Sequence, residues 1–208
     1  MADAATLSVR LPGIDRDFKV DEWVHGRIFS RTERQTGQSA AINAFSYILG
    51  QAMPSGGPAA TERDTNMQKA GELAAGWQAL IFSHQVDLEG DIENGAVAVQ
   101  PAINDARELI SKELVVFKVG RNAVYETGIA KLASGGGLWT QNTSNAFSQV
   151  SNGTPDARSQ NAFLIPIHLR DGKNFTVQHQ FPRGLSLSAI TWTMDWLEGL
   201  IQRTFDAA

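Results

Sequence analysis

Residues 161–182, NAFLIPIHLRDGKNFTVQHQFP, constrain the fold more than any other stretch. Two alternating runs flank the tight Asp171-Gly172-Lys173-Asn174 turn, which predicts two antiparallel strands joined as a hairpin. A two-residue loop would set Ile165, Ile167 and Leu169 opposite Asn174, Thr176 and Gln178. A loop of odd length opposes Ile165/Phe181, Ile167/His179 and Leu169/Val177, and so gathers the apolar residues on one face. One residue of slip flips every side chain, so the odd loop, a type I turn with a bulge, is the expected register. In it His179 joins the apolar face while His168 points to the other side.

The rest of the chain continues this β character. Leu7, Val9 and Leu11 alternate ahead of Pro12-Gly13, so residues 1–20 read as an arm or a first edge strand. Residues 18–30 read as β without a clean period. Ile42, Phe45 and Leu49 fall at i, i+3 and i+7, which predicts a helix over 39–49 with Ser39 as N-cap and Gly50 as its left-handed stop. Residues 50–75 then form a long polar loop, its second half with room for an exposed helical turn or two; so long an insertion is expected to serve function or touch a neighbour. Strand character resumes at 77–82, and 86–92 alternate strictly, with Val86, Leu88 and Ile92 on one face. Asn94-Gly95 is a turn signal before another short strand.

Pro101 opens the best helix, with Ile103, Ala106, Leu109 and Ile110 as its buried stripe. Residues 113–120, ELVVFKVG, are too apolar for a strand with a wet face and are expected centrally in a sheet. Residues 134–160, rich in Ser, Gly, Asn and Gln, read as a second long loop. The final run begins as a strand with Ile190, Trp192, Met194 and Trp196 on one face. Its end, with Trp196, Leu200 and Ile201, also fits a helix, which Gly199 weakens. Asn-Ala-Phe recurs at 43–45, 145–147 and 161–163 at spacings that define no period.

About eight short strands without βαβα order argue against a parallel, doubly wound sheet. The expected architecture is mainly β: one domain over 1–208, an antiparallel β-sandwich of single jelly-roll type with one or two inserted helices. The length suits one domain. A net charge of −4 gives no basic field to gather nucleic acid by counterion release, so no direct nucleic-acid contact is expected. With no cysteine, disulfide and thiolate chemistry are excluded. The first residues, MADAATLSVRLPG, lack a basic n-region and a long apolar core, so no signal peptide is expected, and the glycosylation patterns at Asn142, Asn152 and Asn174 read as chance matches. No run approaches the ~18 apolar residues of a membrane span.

Motifs for chemistry are sparse. His25, His84, His168 and His179 fall at none of the spacings that place two ligands on one face, so each is read as structural and no metal or cofactor is expected. Gly135-Gly136-Gly137 is followed by Leu138-Trp139-Thr140, not by the Lys-Ser/Thr and helix of a phosphate cradle, and reads as loop flexibility. Asp87, Glu89, Asp91 and Glu93 form an acidic row whose members lie about 6.6 Å apart along a strand. A solvated face is the plain reading; a subunit contact, a calcium ion or a carboxylate pair around a glycosidic bond are the others. Arg27, Arg31 and Arg34 fall at i, i+4 and i+7, a basic stripe if helical, which could meet the acidic row of a second copy. Of the five tryptophans, Trp192 and Trp196 are expected in the core and Trp139 as an exposed contact anchor.

Residues 161–182, followed by a C-terminal strand holding Leu197, Gly199 and Arg203, resemble the last strands of jelly-roll major capsid proteins from tailless icosahedral bacteriophages. The resemblance covers the final quarter of the chain. It implies a non-enzymatic structural virion protein, assembled in the host cytoplasm, whose sandwich associates with copies of itself into capsomers and with other capsid proteins. The Arg/Lys-rich arm of genome-binding shells is missing here, which points to an internal membrane or another protein beneath the shell. The alternatives are a lectin-like carbohydrate-binding sandwich using Trp139 and the acidic row, with calcium, and a small glycoside hydrolase.

Overall fold

The computed structural model describes residues 8–9, 18–19, 23–53, 59–89, 99–133, 136–144, 147–153, 162–188 and 190–203. In chain order the elements are β1 (Ser8–Val9), β2 (Phe18–Lys19), β3 (Val24–Arg34), β4 (Ile42–Ala44), β5 (Trp77–Glu89), α1 (Val99–Lys112), β6 (Leu114–Val119), β7 (Asn122–Gly128), a 3-10 turn (Ile129–Leu132), β8 (Gly136–Ser144), β9 (Phe147–Gly153), β10 (Ala162–Arg170), β11 (Phe175–Gln180) and β12 (Thr191–Arg203). The chain is mainly β, with two antiparallel four-stranded sheets ordered β10-β5-β12-β3 and β4-β11-β6-β7. Strands pair in nested fashion: β6 with β7, β5 with β10, β4 with β11, and β3 with β12. The short pairs β1–β2 and β8–β9 form separate two-stranded sheets, β8–β9 against α1 and the 3-10 turn.

The two sheets share one core. Ile28, Ala79, Ile81, Leu169 and Leu197 of the first pack with Val115, Phe117, Phe175 and Val177 of the second. Ala106 and Leu109 of α1 and Ile129 and Leu132 of the 3-10 turn close the same cluster.

The hairpin expected at 161–182 does not form. β10 pairs with β5, setting Ile167 against Ile81 and Leu169 against Ala79. β11 pairs with β6 and β4, setting Val177 against Phe117 and Ala44. The turn is an arch that carries the chain from one sheet to the other. Its two ends are held by different partners: Asp171 N donates to Trp77 O at 3.1 Å, whereas Phe175 N donates to Gly71 O at 2.7 Å. Alternation predicts which side of each strand is apolar: Ile167, Leu169, Val177, His179 and Phe181 are buried, but Ile165, expected on the same face, is 59% exposed where the β10–β5 register shifts between Ala162 and Ile167. It does not say whether the apolar partner lies beside the strand or across the core.

Three other expectations change. Residues 39–49 form β4 and turns rather than a helix, because Ile42 and Ala44 pair with His179 and Val177. The chain then turns sharply at Phe45, which has φ 63, is fully buried and sits 5.5 Å from the Phe175 ring. Residues 134–160 include the antiparallel pair β8–β9 and not only loop. The C-terminal run is strand through Arg203, with no helix. Gly199 is required there for another reason: a Cβ would lie 1.9 Å from the Leu80 carbonyl oxygen, where a bulge brings β5 against β12.

The helix opened near Pro101 forms as α1, and β6 lies centrally between β11 and β7. Val9 falls in β1, while the rest of the expected N-terminal arm, apart from Ser8, Phe18 and Lys19, lies outside the described residues, as do the Asn94-Gly95 turn and the strand expected after it up to Val99, which opens α1 instead.

Within 50–75, residues 64–66 lie along the outer edge of β3, on residues 27–31. Arg31 N donates to Asp64 O (2.7 Å), Phe29 N to Asn66 Oδ1 (3.0 Å), Asn66 Nδ2 to Arg27 O (2.7 Å) and Thr65 Oγ1 to Phe29 O (3.1 Å). That edge is thereby closed to a further strand.

Candidate functional site

Period 2 decides the fate of the arginines. β3 is a strand, so Arg27 and Arg31 face outward while Arg34 faces the core, with no exposed surface. The basic stripe expected from helical spacing therefore does not exist.

The outer face carries alternating arginines and tryptophans. Along β12, Thr193, Asp195 and Leu197 point inward and are buried, while on the outer side Met194 is buried and Trp192 and Trp196 on either side of it are half-buried. The tryptophans share a face as expected, but it is the face away from the core. The Arg31 guanidinium lies 4.4 Å from the Trp192 ring centre and pairs with Asp64 at 3.3 Å. Arg27 lies 5.5 Å from the Trp196 ring centre and pairs with Glu198 at 3.0 Å. Phe29 packs against Trp196 at 5.1 Å, and Trp196 Nε1 donates to Asp87 Oδ2 at 3.0 Å. Beside Trp192, a hollow of about 390 Å³ is lined by Arg31, Glu33, Gln35, Gln38, Asn43 and Tyr47, among others. Burial pushes the Tyr47 phenol up to about 12, and its hydroxyl donates to the Arg31 carbonyl.

The inner face holds something different: a continuous polar chain linking the sheets. Arg34 (β3) forks onto Glu113, with Nη2 donating to Oε1 at 2.7 Å and Nε to Oε2 at 3.4 Å. Glu113 stands just ahead of β6 and its Oε1 lies 2.6 Å from His179 Nδ1 on β11. His179 Nε2 lies 3.1 Å from Asp195 Oδ2 on β12. The other oxygen, Asp195 Oδ1, lies 2.9 Å from His84 Nε2 on β5, and His84 Nδ1 meets the Tyr125 hydroxyl on β7. Arg34 also donates to Thr32, whose hydroxyl in turn meets Thr193 at 3.0 Å. Arg34, Glu113, His179, Asp195 and His84 have side chains with no exposed surface at all.

Geometry, burial and neighbouring charge together set the protons. Both ring nitrogens of His179 face carboxylate oxygens, so both must carry hydrogen and the ring is an imidazolium. His84 Nε2 faces the Asp195 carboxylate and donates to it, and because burial disfavours a second ring proton, Nδ1 is left to accept from the Tyr125 hydroxyl. Burial lowers the His84 pKa against the pull of Asp195. For His179 burial also acts downward, but Asp195 and Glu113 outweigh it and the pKa is raised. Despite burial, Glu113 is held below the usual carboxylate range by Arg34 and His179, and Asp195 by the two histidines. This inner network is neutral as a whole: Arg34 and His179 balance Glu113 and Asp195. Among the described residues, no group of three or more His, Asp or Glu is placed to hold a metal ion.

Of the residues singled out from the sequence, the fold brings Arg27, Arg31 and Asp87 to one face and sends Arg34 to the other. The Glu89 backbone pairs with Trp192 opposite it. Asp91 and Glu93 lie outside the described residues, as does the Trp139 side chain, although the Trp139 backbone pairs with Ser151. The inner chain went unread because its members come from five strands and a strand lead-in. Parity was the available signal: Arg34 shares it with Ile28, His84 with Val86 and Leu88, and Asp195 with Leu197. No protein-family model, curated protein or solved structure matches this chain.

Proposed function

We propose that this chain is a self-assembling structural subunit of an icosahedral virion shell, built on a single jelly roll. The nested strand pairing carries the reading: β6–β7, β5–β10, β4–β11 and β3–β12 follow one long antiparallel ribbon, rolled so that its strands alternate between two sheets. α1 and the β8–β9 pair are excursions from that ribbon, suited to contacts with neighbouring copies. The outer Arg–Trp face supports the same reading, since aromatic and arginine side chains are the commonest anchors of protein interfaces. Its partners are copies of itself in a capsomer, with other capsid proteins alongside and a membrane or protein layer beneath.

Sedimentation velocity and negative-stain microscopy of the purified full chain test this. Discrete capsomers or particles that grow with concentration are expected; a strict monomer at every concentration would sink the proposal. The hollow beside Trp192, lined by side-chain amides and a carboxylate, favours carbohydrate binding as the second reading. A glycan array decides it: sugar binding lost in Trp192→Ala, by a protein that never assembles, replaces the shell reading.

A further inference from the structure

The inner polar chain is unusual for what it joins. Arg34, Asp195 and His84 belong to β3, β12 and β5 of one sheet, while His179 and Tyr125 belong to β11 and β7 of the other. Glu113 leads into β6. Every bond from Glu113 to Arg34, from Asp195 to His179 and from His84 to Tyr125 therefore crosses the sandwich. A purely apolar core of the same shape would be at least as stable. What the polar chain adds is dependence on protons.

We propose that these six groups form a proton-counted clasp between the two sheets, closed when His179 carries two ring protons and His84 one, and opened by one proton more or one fewer. The inference is independent of the shell reading. With one proton more, His84 becomes a second buried imidazolium facing the same Asp195 as His179. Its Nδ1–H then points at the Tyr125 hydroxyl, which loses its acceptor. With one proton fewer, His179 turns a bare nitrogen toward a carboxylate oxygen, and Glu113 and Asp195 face Arg34 as the remaining cation. Either state leaves an unbalanced charge where no water reaches. Tyr125 is only partly buried, at the β7 end of the chain, with Phe163 of β10 packed on its ring at 5.3 Å. Proton exchange with solvent enters at this margin.

The direction of the pH effect follows from linkage. Above about pH 6.5 the unfolded chain gives up the His179 proton that the fold retains, so stability falls as pH rises. Below about pH 6.5 the unfolded chain takes up a proton at His84 that the fold refuses, so stability falls as pH drops. Below about pH 4, Glu113 and Asp195 steepen the acid side, because the fold keeps them ionised. Stability is thus peaked, and the unfolding constant rises by up to about tenfold per pH unit on the alkaline side and on the acid side down to about pH 4, and more steeply below it.

Two measurements on the full chain test the clasp. Urea unfolding from pH 5 to 9 is expected to give a midpoint with a maximum near neutrality, and His84→Gln to flatten the acid side alone. Because a core variant can fail to fold, ring-nitrogen NMR of the wild-type histidines at pH 7.5 is the deciding readout. It should find His179 doubly protonated and His84 protonated at Nε2 only. A neutral His179, a charged His84, or a midpoint that is flat across the range would overturn the proposal.

Discussion

Arg31 and Arg34 stand three residues apart on β3 and are held by opposite means. Arg31 lies on the outer face, its guanidinium over the Trp192 ring and one nitrogen toward Asp64, with about 30% of its side chain exposed. Arg34 is sealed between the sheets and forks onto Glu113, itself fully buried. On the outside, water screens the charge and the aromatic ring supplies most of the contact, so the residue is useful but replaceable. On the inside nothing screens it, and the fold has no neutral state without its partner. The same side chain is a surface anchor in one register and a structural ion in the other.

Replacing each residue separately widens or closes that contrast. The largest effect is expected from Arg34→Met, which leaves Glu113 buried with only His179 to balance it. A loss of about 3–5 kcal/mol in urea unfolding is expected. The double variant Arg34→Met/Glu113→Gln restores charge balance, with the amide oxygen accepting from His179, and should recover more than half of that loss. If the double variant is as unstable as the single, shape and not charge sets the inner face. Next comes Gly199→Ala, whose methyl would drive into the Leu80 carbonyl at the β5 bulge. A loss of about 1–3 kcal/mol is expected, by overpacking alone. The smallest is Arg31→Ala, about 1 kcal/mol, from one cation–π contact and one partly exposed ion pair. It should change little with pH between 6 and 8, whereas the wild-type inner face should respond throughout that range.

Much of the β character was legible because alternation survives in the strands themselves. Val177, His179 and Phe181 are buried together, and β6 is central, as their apolar parity requires. Pairing was not legible. Residues 165–169 and 175–181 alternate well enough for a hairpin, and only the separate anchoring of Asp171 and Phe175 sends them to different sheets. Spacing also misleads where the period is assumed. Ile42, Phe45 and Leu49 mimic a helical face, yet Phe45 is buried at a left-handed turn and Leu49 is 46% exposed. The arginines at 27, 31 and 34 form a stripe only on a helix, and on β3 they split. The inner polar chain depends on contacts between residues far apart in sequence, 111 positions for His84 and Asp195 and 161 for Thr32 and Thr193, which no local pattern encodes.

The strip at 64–66 that satisfies β3 has a consequence for how far a row of these molecules could extend. On the opposite margin β10 displays Leu164, 98% exposed, and Ile165, 59% exposed, with no strand beyond it among the described residues. A second molecule joining there through its own β10 would leave a blunt side at each end. Growth along that sheet would stop after a single addition, so the geometry admits a finite couple and forbids an endless ribbon.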